Sequence, residues 1–109
     1  MIHAMIDLET LATTPDAIIL TCGGVKFDPW STEEPSQPFY LRLDVDEQTN
    51  IGRRLNEDTL KWWESQPAEV KEEALSDGNR VSLGVFKDSL NKFLVGVDYL
   101  WAQGPLFDY

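Results

Sequence analysis

The chain has 109 residues, room for one domain with a real core and too few for two. Hydrophobic residues make up 42% of it, which excludes a disordered chain, and a net charge of -10 excludes a basic surface that grips nucleic acid through its phosphates. The single cysteine, Cys22, excludes a disulfide framework, and with no long apolar segment and no basic leader the expectation is a cytoplasmic protein that does not enter a membrane.

In chain order, residues 2–7 read as a first strand buried on both faces, ending on Asp7 and followed by Glu9. On a strand, side chains at i and i+2 share a side, so Asp7 and Glu9 converge. Two carboxylates that close resist ionisation unless something positive sits between them, and oxygen ligands suit Mg²⁺ or Mn²⁺. The alternative is a solvated strand end with two ordinary acids. Leu11 to Asp16 is a loop. Residues 17–28 read as a long second strand, in which Gly23-Gly24 suggests a bulge or a close backbone approach, and Cys22 reads as a small buried hydrophobe. Thr32 to Pro38 forms a polar hairpin loop, and Phe39 to Asp44 a third strand.

Val45 to Glu57 is polar and reads as a loop over the sheet. Asp58 caps a helix over Thr59–Gln66, Pro67 opens a second helix through Leu75, and Gly78 stops it. Ser82 caps a third, with Leu83, Phe86, Leu90, Phe93 and Leu94 on one stripe. Tyr99 to Ala102 reads as a fourth strand, Gln103-Gly104-Pro105 as a turn, and Leu106 to Tyr109 as the start of a further element. His3, inside the first strand, reads as a neutral core or edge residue. Trp62 and Trp63 point about 100° apart on a helix. The expectation is that both pack beneath the Val45–Glu57 loop; stacking on a base is the alternative. Arg53 and Arg54, the only adjacent basic pair, either touch phosphate or offset nearby acids.

Asp7-Leu8-Glu9-Thr10 at the end of a first strand resembles the opening motif of the DEDD 3′–5′ exonucleases. The stretches Ile18 to Asp28, Asp58 to Gln66 and Trp101 to Asp108 resemble the small single-domain exoribonucleases of bacteria and phages, and the double tryptophan followed by Gln66 is the most distinctive of them. The resemblance implies an α/β, ribonuclease H-like fold: a three-stranded antiparallel meander, helices, and a fourth strand parallel to the first. Ligands then sit at the carboxyl ends of those two strands. It also implies that Asp7, Glu9 and Asp108 are the first three of four acids holding two Mg²⁺ or Mn²⁺ ions. The substrate is the 3′ end of a single-stranded RNA or DNA, and Leu8, Thr10 and Leu11 contact the terminal nucleotide. Bound cations would invert the local field around the acids and so offset the acidic charge in part.

The family's fourth acid, and a His or Tyr shortly before it, are not among residues 1–109, and Gln103 stands where relatives tend to carry Asn. The expectation is therefore one incomplete domain, residues 1–109, inactive alone and covered by a second copy or another chain over Leu100, Leu106 and Phe107. The rival reading is a non-catalytic nuclease-like module that binds a protein partner.

Overall fold

The apolar run that opens the chain becomes an interior strand. In the computed structural model, which describes residues 1–31 and 36–103, β1 (His3–Thr10) lies between β2 (Ile19–Phe27) and β5 (Tyr99–Gln103). The sheet continues through β3 (Ser36–Leu43) to β4 (Arg80–Val81), giving the order β4-β3-β2-β1-β5. β1, β2 and β3 form the expected antiparallel meander. β5 runs parallel to β1, with Ala102 beside Ile6 and Gln103 beside Asp7. This is the α/β, ribonuclease H-like arrangement that the resemblance implies.

Two elements depart from the sequence reading. The two-residue β4 pairs parallel with β3 at Arg42 and Leu43, a fifth strand too short to leave a pattern. Val45–Asn50, expected as loop, is a helix, α1. Asp44 caps it by accepting from the Glu47 amide at 2.9 Å. Gln48, fully buried, then anchors it: its Oε1 accepts from the Ile19 amide and its Nε2 donates to the Ile19 carbonyl, both at 2.8 Å. A side-chain amide thus does for Ile19 what a neighbouring strand would do.

α2 (Glu57–Glu64), α3 (Ala68–Leu75) and α4 (Leu83–Phe93) follow. The cap of α2 is Asn56, not Asp58; its Oδ1 accepts from the amides of Asp58 at 2.8 Å and Thr59 at 3.2 Å. Ser82 caps α4 as expected. The α4 stripe packs on Ala4, Ile6, Cys22 and Leu43 to form one core. A second core gathers Leu11, Ile18, Leu20, Trp63 and Ala74, with Leu60 of α2 and Leu75 of α3 against it. The glycine pair behaves as its spacing suggests. β2 and β3 slip register between Gly24 and Lys26, and a Cβ on Gly24 would stand 3.1 Å from the Met5 carbonyl and 3.2 Å from the Phe93 ring.

Arg80 ties these layers together. Its guanidinium donates to the carbonyls of Leu20, Leu43, Ala74 and Ser76 at 2.6–3.0 Å, and burial lowers its pKa from the usual arginine value. No helix among the described residues is long and apolar enough to cross a membrane.

Candidate active site

Alternation along β1 separates core from chemistry. Ala4 and Ile6 are buried in the α4 core, whereas Asp7 is exposed and Glu9 half-buried. Residues directly opposite in an antiparallel pair share a face. Asp7 therefore shares its face with Gly23 and Tyr40, and Glu9 with Thr21 and Arg42.

Glu9 is held. The Thr21 hydroxyl, almost fully buried, donates to its Oε1 at 2.7 Å. Across the same face the Tyr40 hydroxyl donates to the Glu73 carboxylate. Arg42 latches the end of α3, donating to the Glu73 carbonyl at 3.1 Å and the Ser76 carbonyl at 2.6 Å. The two β1 acids make their charge felt. The Tyr40 phenol is pushed up to about 12, first by burial, then by Glu73 and by Glu9. The Cys22 thiol also rises to about 12, by burial and then by the charge of Asp7. Cys22 is thus an inert buried hydrophobe, as its apolar setting suggested.

Beside the acids lies a cleft of about 560 Å³, bounded by Asp7 to Thr10, by Ala12 and Thr13, and on the far side by Asp58, Thr59, Trp62 and Trp63 of α2. The tryptophans take different roles, which corrects the expectation that both pack beneath the loop. Trp63 is 7% exposed, sits in the second core and donates from Nε1 to the Thr10 carbonyl at 2.9 Å. Trp62 is 56% exposed and stands edge-on to it, with ring centroids 4.8 Å apart and planes at 79°. The adjacent pair splits between core and groove because successive helical side chains diverge.

Leu8 and Thr10 reach the cleft, though the Thr10 hydroxyl donates to the Ala12 carbonyl at 2.7 Å. Leu11 does not. It is 4% exposed and packs in the second core, so its side chain does not border the cleft. Arg53 donates to the carbonyls of Ala17 and Pro15, and Arg54 pairs with Asp16 at 3.3 Å; neither borders the cleft. His3 is a half-buried residue of the interior strand β1, matched with Phe27 and Tyr99 on either side, and its Nδ1 accepts from Trp101 Nε1 at 2.9 Å. Asp108, like Leu106 and Phe107, lies outside the described residues.

The sequence reading missed Asp58 and Thr59 as cleft residues. An acid just before a helical pattern reads as a cap; its spacing of four residues from Trp62 is the signal that would have placed it on the same face. The Asp7–Glu9 donor set is all oxygen and suits a hard cation. Among the described residues no group of three or more His, Cys, Asp and Glu side chains gathers to hold one, so this pair is at most part of a coordination sphere.

A family model described as the 3′-5′ exoribonuclease Rv2179c-like domain matches residues 2–109. Among curated proteins none matches the chain.

Proposed function

The chain belongs to the Rv2179c-like 3′-5′ exoribonuclease domain family, and from that premise we propose that the cleft between β1 and α2 removes nucleotides from the 3′ end of a single-stranded RNA or DNA with Mg²⁺ or Mn²⁺. The observation that carries the reading is one cleft joining the Asp7–Glu9 pair to the open ring of Trp62. In this DEDD-type reading Asp7, Glu9 and Asp108 hold the metal. β5 brings the backbone of Gln103 beside Asp7. Asp108 is five residues further on (108 minus 103), a chain length that spans at most about 17 Å. A divalent ion bound there supplies a nucleophilic water near neutral pH and neutralises charge developing on phosphate oxygens.

The chain's own residues do the positioning. Thr21 fixes the rotamer of Glu9. Trp62 offers a face to a base, and Leu8 and the Thr10 backbone border the terminal nucleotide. The lone buried Cys22 suits a cytoplasmic setting. The apolar edge at Tyr99, Leu100 and Trp101, each about half exposed, suits cover by a second copy of the chain. That edge also favours the second reading, a non-catalytic module that binds a protein partner.

A 5′-labelled single strand incubated with Mn²⁺ tests the reading. Shortening from the free 3′ end is expected, abolished by EDTA and by Asp7→Asn. Equal shortening by the variant, or of a 3′-blocked strand, removes the assignment. No shortening at protein excess leaves the interaction module as the better account.

A further inference from the structure

Glu9 has one oxygen engaged and one open. The ladder between β1 and β2 slips after Glu9, so that Glu9 faces Thr21, Thr10 faces Ile19, and Leu20 is the extra residue of a bulge. Thr21 is 1% exposed, and its hydroxyl donates to Glu9 Oε1 at 2.7 Å, its only hydrogen bond among the described residues. A β-branched side chain has little rotamer freedom, and a buried hydroxyl that loses its partner is costly. Glu9 Oε2 is bound by no group among the described residues. Arg42, next to Thr21 in the same row of the sheet, turns its guanidinium away to the carbonyls of Glu73, Ser76 and Gly78 and forms no ion pair with Glu9.

These constraints act on how Glu9 meets a cation. Offering Oε2 alone leaves the Thr21 bond intact. Turning both oxygens onto one ion takes Oε1 from the hydroxyl and leaves a buried donor unpaired. Ca²⁺ takes about 6–8 oxygens and often grips a carboxylate by both of them. Mg²⁺ demands a near-ideal octahedron at shorter range, keeps several waters, and has room for one oxygen of a carboxylate. A Glu9 pinned at Oε1 therefore suits the smaller ion.

Resting on the reading of the cleft given above, we propose that Thr21 is a positioning residue that keeps Glu9 a one-oxygen ligand and thereby selects Mg²⁺ over Ca²⁺. The test follows the electron paramagnetic resonance signal of free Mn²⁺, with MgCl₂ and CaCl₂ as competitors, in the parent, Thr21→Val and Thr21→Ser. Binding at the site is the component that Asp7→Asn loses. In the parent, Mg²⁺ is expected to displace this Mn²⁺ at about one-tenth the concentration that Ca²⁺ needs. In Thr21→Val, which keeps the shape and loses the hydroxyl, Mg²⁺ binding weakens about tenfold and Ca²⁺ binding less than about twofold, so the preference closes. Thr21→Ser keeps the hydroxyl and stays within about threefold of the parent for both ions. A merely structural role would weaken both ions alike. Equal losses for the two ions or an unchanged preference in Thr21→Val overturns this proposal alone. So does Ca²⁺ binding as tightly as Mg²⁺ in the parent or in Thr21→Ser, which decides the matter even where Thr21→Val does not fold. No component lost in Asp7→Asn overturns the reading of the cleft and this proposal with it.

Discussion

Asp7 and Glu9 stand two residues apart yet are held differently: Thr21 holds Glu9, while among the described residues no side-chain bond holds Asp7. On the proposed reading Asp7 is the ligand more free to turn toward a cation. Mn²⁺ binding only the folded form raises the melting temperature by mass action. The shift is expected in the parent and absent in Asp7→Asn; equal shifts in a thermal scan would remove Asp7 from the site. Cys22 yields a pH prediction. Its folded pKa is raised from 9.0 to about 12, so the stability it contributes is complete below pH 9 and is lost as pH rises through 12. Between pH 8 and pH 10 urea denaturation of the parent should show a loss of about 1.4 kcal/mol that Cys22→Ala does not share. Period-two alternation made Asp7 and Glu9 legible in the sequence. It was the resemblance, not alternation, that set Leu11 beside the substrate; β1 ends at Thr10 and the chain bends inward, where the Leu11 amide donates to the Ile18 carbonyl at 2.9 Å.

Among the elements, the strands and the amphipathic α4 were legible because each carries its own hydrophobic period. α1 was not. Six residues, five of them polar, make no stable helix by propensity, and this one exists through the Asp44 cap and the buried bonds of Gln48 to a strand far away in sequence. β4 was hidden for the same reason, being defined by its partner β3 and not by its own two residues. β5 is legible as a strand, but its exposure is a property of the sheet order, which among the described residues puts Tyr99, Leu100 and Trp101 at an edge. Open apolar edges invite pairing. Sedimentation across a range of concentrations is expected to show a second species that grows with concentration and is lost in Leu100→Lys. One monomeric species throughout would exclude self-association through β5.

At the scale of the molecule the net charge of -10 decides how a polyanion is met. A basic protein that neutralises several phosphates loses affinity steeply as salt rises. Here screening weakens a repulsion instead, and on the proposed reading attraction comes from the metal and from stacking on Trp62. With Mn²⁺ present, raising NaCl from about 50 to about 200 mM should change single-strand affinity less than about threefold, as fluorescence anisotropy would read it. A fall of about tenfold or more would reveal a cationic track outside the cleft.

The pairing of β1 with β5 also sets an order of events in time. His3 is matched with Tyr99, 96 residues later (99 minus 3), so the strand bearing Asp7 and Glu9 gains its second neighbour only after those 96 further residues have been made. Closing so long a loop is entropically costly and comes late in folding. Until then β1 is itself a bare edge, open to the wrong partner. Arrival of the Trp101 indole at His3 therefore marks completion of the sheet, and its fluorescence should be the last signal to settle in a refolding experiment.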